Sequence, residues 1–129
     1  MRNGTEFEEA KSQMRRGMLE FCTLLIISRG RAYSSDILSE LKKADLIVVE
    51  GTLYPLLSRL KADGLLEYDW EESRAGPPRK YFRLTGRGEE KLEQLKATWQ
   101  SLVESMAALS ESINREKKHF KLAWPKRSS

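Results

Sequence analysis

Apolar and polar positions change their period several times along this chain of 129 residues, and each change marks an element. Between Met14 and Ile27 the apolar residues Met14, Met18, Leu19, Phe21, Cys22, Leu24, Leu25, Ile26 and Ile27 nearly encircle a helix, and Gly30 supplies a stop. Such a helix needs cover on most sides. Arg31 to Tyr33 fits a short strand, after which Ser34 or Ser35 is placed to cap a second helix, with Asp36 in its first turn and Ile37, Leu38 and Leu41 turned inward. The segment "ADLIVVEG" bridges to a third helix. Its Leu53, Leu56, Leu57 and Leu60 share one face and Gly64 ends it, while Pro55, tolerated only near a helix start, sets the beginning around Glu50 to Thr52.

In "LLEYDWEE" the period drops to two: Leu66, Tyr68 and Trp70 alternate with Glu67, Asp69 and Glu71, as in a strand with one wet face. "SRAGPP" breaks it and "RKYFRL" resumes, so the pair reads as a hairpin whose loop is stiffened by Pro77 and Pro78. Thr85 can cap the last helix, with Glu89 and Glu90 in the first turn, where the helix dipole favours carboxylates. Leu92, Leu95, Trp99, Leu102, Met106, Leu109 and Ile113 then step by alternating threes and fours, a heptad seam. At about 1.5 Å per residue, a helix over 86–119 would run roughly 50 Å, longer than a compact body of the preceding residues is wide. The seam therefore calls for a partner outside that body, and a second copy of the chain is the simplest one.

The domain reading that follows is an N-terminal extension over 1–13, expected to be flexible, a winged-helix domain over 14–85, a dimerisation helix over 86–119 and an unpatterned tail over 120–129. Composition narrows the chemistry. The hydrophobic fraction is 40%, enough to fold, and formal net charge is +4, too small by itself to announce a polyanionic partner. Its distribution says more: Arg74, Arg79, Lys80, Arg83 and Arg87 follow one another with no intervening acid. The longest apolar run, Phe21 to Ser28, is too short to cross a bilayer, and "MRNGTEFEEAKSQ" lacks the basic-then-apolar order of a secretory signal, so a cytoplasmic protein without membrane contact is expected. One cysteine, Cys22, and one histidine, His119, allow neither an intrachain disulfide nor a cluster of the usual zinc ligands. No nucleophile stands near a base and no glycine-rich phosphate loop occurs; "TGRG" is too short to be one. Neither an enzyme nor a cofactor is expected.

Helix, short strand, helix, helix and hairpin is the order of a winged helix, whose third helix enters the major groove and whose hairpin reaches the neighbouring backbone. The fold class is thus mainly α with a small β-hairpin, a winged helix-turn-helix followed by a long helix. On "GTLYPLLSRLKADGLL", then "PRKYFRLTGRGEEKL", then the long helix, the chain resembles the PadR family of bacterial transcriptional regulators from about Arg16 to His119. The resemblance implies a homodimeric repressor that dimerises through the C-terminal helix, often together with the first helix. Where many members open the second helix with a Gly-Tyr pair, this chain has "AYSSD", with Ala32 in place of the glycine.

Each candidate residue has a bland alternative. Gly51 and Thr52 stand where helix-terminal amides would bond a phosphate, or merely begin a helix. Tyr54 and Pro55 lie off the leucine stripe, and the resemblance implies that this pair meets DNA. Ser58, Arg59 and Lys61 also avoid the stripe and could reach bases or phosphates, although a solvated face would look the same. Arg74, Arg79 and Lys80 flank the turn and suit phosphates or the minor groove, whereas Arg83 and Arg87 can simply balance Glu89 or Glu90. Ser34 and Ser35, opening the second helix, complete the expected DNA-contacting set. Cys22 reads as core. Trp99 fits seam packing or the border of a gap for a flat aromatic effector, since the resemblance implies that some relatives bind drugs near a tryptophan of the last helix. The expected function is a sequence-specific regulator, a repressor acting as a homodimer on double-stranded DNA with an inverted-repeat operator. The rival is a ligand-sensing or protein-docking module that keeps the fold and binds DNA little.

Overall fold

A computed structural model describes residues 2–46 and 49–119. In chain order the elements are α1 (Arg2–Arg16), α2 (Leu19–Ile27), β1 (Ala32–Tyr33), α3 (Ser34–Lys43), α4 (Glu50–Ala62), β2 (Leu66–Ser73), β3 (Gly76–Leu84) and α5 (Gly86–His119). This is a mainly helical winged helix-turn-helix with a long C-terminal helix, divided into two units, Met1–Gln94 and Leu95–Ser129. The tail expected over 120–129 lies outside the described residues.

Two expectations at the N-terminal side change. The stretch set apart as a flexible extension is helical as α1, and the apolar pattern from Met14 to Ile27 is not one helix. Gly17, a poor helix former, and Met18 interrupt it, with the Met18 amide turning back to the Arg15 carbonyl at 2.8 Å. Met14 is left 77% exposed on α1, while Leu24 and Ile27 of α2 enter the core. There they meet Ile37 and Leu41 of α3, Leu53, Leu57 and Leu60 of α4, and Phe82 of β3, all buried. The one-faced leucine pattern of α4 is thus what joins it to the body.

Neither Ser34 nor Ser35 caps α3. Both already lie in the helix, and the cap position falls to Tyr33, whose amide donates to the Asp36 carboxylate at 3.1 Å. In the turn after α3 Asp45 takes φ 60, and Lys11 of α1 binds its side chain, holding that carboxyl below its ordinary range. Helix α4 starts at Glu50 and accommodates Pro55 in its interior, where the ring removes the amide that would bond the Gly51 carbonyl. It stops in a paired turn, Leu65 amide to Leu60 carbonyl and Gly64 amide to Lys61 carbonyl, each 2.9 Å, with Gly64 at φ +79.

The three strands form one antiparallel sheet in the order β1-β3-β2, pairing Ala32 with Phe82, Tyr33 with Tyr81, Tyr68 with Phe82 and Trp70 with Lys80. The hairpin turn is tighter than the sequence suggested. Only Arg74 and Ala75 lie between the strands, and Gly76, Pro77 and Pro78 belong to β3 itself. They can, because β1 pairs β3 only at Tyr81 and Phe82, which leaves the far edge of residues 76–80 bare, and the ladder to β2 passes from Arg79 to Gly76 across an irregularity that skips both prolines.

Thr85 joins two helices. Its hydroxyl donates to the Gly64 carbonyl at 2.6 Å after α4 and accepts the Gly88 amide at 3.0 Å in the first turn of α5. Gly88 is pressed so closely on β2's approach that an added Cβ would stand 2.1 Å from the Leu65 carbonyl oxygen. Leu92, expected in the intermolecular seam, is 3% exposed and belongs to the core of the first unit, because the opening turns of α5 pack within the chain.

Gly88→Ala therefore has to displace backbone. We expect a loss of about 2 kcal/mol or more in urea unfolding, at the upper part of the range for overpacked sites. Gly86→Ala, which meets nothing within 4 Å, should stay within about 0.5 kcal/mol of the parent.

Candidate nucleic-acid interface

Side chains alternate across the hairpin, and the two faces have different chemistry. On one face Glu67, Asp69 and Glu71 stand opposite Arg83, Tyr81 and Arg79. Arg83 is held by Asp69 and, at 3.0 Å, by Glu67, not by Glu89 or Glu90; Glu71 pairs with Arg31 at 3.3 Å. The Arg31 guanidinium also lies 4.5 Å from the centre of the Tyr81 ring. A hydrogen bond to Glu71, with burial second, pushes the Tyr33 phenol above its ordinary range. This face largely neutralises itself.

The other face carries Leu66, Tyr68 and Trp70 of β2 with Lys80 and Phe82 of β3. Between it and α4 opens a groove of about 310 Å³ lined by Ser34, Tyr54, Leu57, Ser58, Lys61, Tyr68, Lys80 and Phe82. Leu57 and Phe82 form an apolar floor from the core side. Two ammonium groups overhang one ring: Lys80 Nζ is 4.1 Å and Lys61 Nζ 5.1 Å from the Tyr68 centroid. Among the described residues neither lysine has a carboxylate partner. Two unneutralised cations on one rim make an anion-attracting edge.

The structure thus brings together five of the residues singled out in the sequence, Ser34, Tyr54, Ser58, Lys61 and Lys80, from three elements. Tyr54 is 46% exposed beside them. Ser35 and Arg79 form a neighbouring cluster: Arg79 donates to Ser35 Oγ at 3.1 Å and stacks its guanidinium 3.7 Å from the Tyr33 ring centre. Gly51, Thr52 and Pro55 are exposed along the first half of α4, and Arg74 is exposed in the hairpin turn. Arg59 stands apart. Its guanidinium contacts Glu20 of α2 at 3.1 Å and Asp63 at 3.7 Å, so it ties α4 to α2 and lies away from the groove.

Trp70 shares the apolar face of β2 with Leu66 and Tyr68, yet it is 63% exposed. Along the same row Leu66 is buried and Tyr68 half-buried, so burial fades toward the turn as β2 leaves the helices behind. Period-two alternation reports which face a residue shares, but not how far along the strand the cover extends. The one available signal was its distance from the core leucines.

A scan of protein families matches residues 23–94 to the transcriptional regulator PadR-like family. Among solved structures, a PadR-like transcription factor from Bacteroides fragilis is 57% identical, with 78% of this chain and 98% of that one covered at a TM-score of 0.67. A PadR-like transcriptional regulator from Bacillus cereus is 38% identical over 75% and 95% at a TM-score of 0.69. A padr family transcriptional regulator from Eggerthella lenta is 30% identical over 84% and 96% at 0.76. No curated protein matches.

The Arg59–Glu20 contact is open to water, with 55% and 24% of the side chains exposed. A double-mutant cycle on Arg59→Met and Glu20→Gln, read by chemical denaturation, should return a coupling of about 0.5 kcal/mol.

Proposed function

The chain belongs to the PadR-like family of transcriptional regulators, and from that membership we propose that it is a repressor that binds an inverted-repeat operator as a homodimer. Membership places it among regulators of transcription and not among enzymes. The observation that carries the DNA reading is the convergence of Ser34, Tyr54, Ser58, Lys61 and Lys80 on one groove whose cations have no carboxylate partner among the described residues. Helix α4 presents its polar side to the major groove, with Gly51 and Thr52 near a phosphate at its N-terminus. The hairpin carries Lys80, Arg79 and Arg74 to the flanking backbone. Arg59 contributes indirectly, by fixing the angle of α4 against α2.

Homodimerisation is supported by apolar side chains left in water along α5. Trp99 is 42% exposed, Leu102 53%, Met106 60%, Leu109 58% and Ile113 51%, a seam that one copy does not cover. Leu95, half-buried, opens it. Two-fold pairing would set the two reading helices about 34 Å apart, one turn of duplex. The exposed indole of Trp99 supports the further idea that a small aromatic effector enters this seam and biases that separation. No helix of the described residues is long and apolar enough to cross a membrane, and a cytoplasmic site of action is part of the same proposal.

Fluorescence anisotropy on the DNA upstream of the protein's own gene tests the reading. Binding should weaken steeply with salt, and Lys61→Ala and Lys80→Ala should each reduce the slope of log K against log salt by about 0.9. Salt-independent binding, or equal affinity for random duplex, would remove the regulator reading in favour of a docking module. Met106→Glu places a charge in the seam. Analytical ultracentrifugation should show a monomer for that variant and a dimer for the parent, with operator affinity falling at least about tenfold.

A further inference from the structure

Between Glu50 and Leu84 the large apolar side chains left exposed are Tyr54, on the groove, and Trp70, at its outer end. Trp70 has no structural task that uses its size. Its indole meets Tyr68 edge-on, at 6.3 Å between ring centres and 87° between planes, but 63% of the residue faces water. An indole so placed exposes apolar area that a polar side chain would not, at a cost to solubility. Its surroundings state what would cover it. Three of the four acids of β2, Glu67, Asp69 and Glu71, lie on the opposite face and the fourth, Glu72, stands beyond the indole toward the turn, while Lys80, its direct cross-strand partner, holds Nζ 5.2 Å from the indole centre. The matching surface is one with apolar walls and an anionic rim. Deoxyribose lines the walls of a duplex minor groove and phosphates form its edges.

We propose that Trp70 is a DNA-contacting residue, its indole packing on the sugar wall of the minor groove beside the operator's major-groove site while Lys80 takes the adjacent phosphate. The inference rests on the regulator reading above and adds an uncharged contact to it. The geometry favours such a contact because the indole is already held: β2 and β3 are paired at Trp70 and Lys80, and the turn beyond contains only Arg74 and Ala75. Little side-chain and backbone freedom remains to be lost on docking. A neutral ring also has a thermodynamic mark distinct from a lysine's. It removes apolar area from water and displaces no counterions, so its loss changes affinity at every salt concentration by the same factor.

The test uses the intact protein and the operator duplex. Trp70→Ala should weaken binding about tenfold with the slope of log K against log salt unchanged, and Trp70→Phe should recover most of that loss. In protein labelled with 5-fluorotryptophan, the fluorine resonance missing from Trp70→Phe identifies Trp70 and should shift when duplex is added. Unchanged affinity of Trp70→Ala, or an unmoved resonance, overturns the proposal while leaving the regulator reading intact. A slope reduced as in Lys80→Ala also overturns it, because the indole would then act only by holding the ammonium. Loss of the dimer in ultracentrifugation of Trp70→Ala overturns it too, assigning the indole to a second copy of the chain. Failure of the parent protein to bind any duplex defeats both readings together.

Discussion

Two residues of backbone pairing govern the arrangement of the whole first unit. Ala32 and Tyr33 lie against Phe82 and Tyr81, and β1 passes without a linker into α3. The same Phe82 pairs on its other side with Tyr68 of β2 and sends its ring into the core. The hairpin is consequently anchored to the start of α3 by one ladder and continued into a wing by the other. An isolated two-stranded hairpin would be marginal in water; a third strand, even of two residues, with an apolar face packed on helices makes it part of the body. Because Tyr33 belongs to that third strand, Arg79 finds Ser35 and the Tyr33 ring beside it, and Lys80 reaches the groove along α4.

Strand alternation then sorts charge. The acids at 67, 69 and 71 fall on one face, where Arg83 and Arg31 answer them. Lys80 falls on the other, where the neighbours are aromatic and Lys61 adds a second positive group. A formal net charge of +4 describes neither face. Two lysines held over aromatic rings concentrate their field on one rim, and the pleat keeps Glu67, Asp69 and Glu71 on the far side.

Most of the architecture was legible from periodicity. The leucine stripe of α4, the alternation in β2 and the threonine before α5 each acted where the sequence placed them. Failures came where a local rule lost to context. The apolar residues from Met14 onward share a pattern across Gly17, but not a helix, since a pattern does not show whether the backbone is continuous. Ser34 and Ser35 are good capping residues, yet β1 pairing draws Tyr33 into the cap position ahead of them. Leu92 fits the heptad, and what the heptad does not contain is that the first turns of α5 are already packed. In the groove, Tyr54, Ser58 and Lys61 were separable from the stripe by spacing alone. So was Arg59, and what spacing does not contain is its engagement with Glu20, a residue 39 positions earlier in the chain.

Pro77 and Pro78 lie where β3 has lost β1 as a neighbour and its outer edge is bare. A bare edge usually invites another chain to extend the sheet. Successive amides of a strand face opposite edges and proline has no amide hydrogen to give, so one of the two prolines removes a donor from the bare edge and an incoming strand meets a position that cannot bond it. The hairpin can thus be long, stiff and partly apolar at its tip without becoming a template for aggregation.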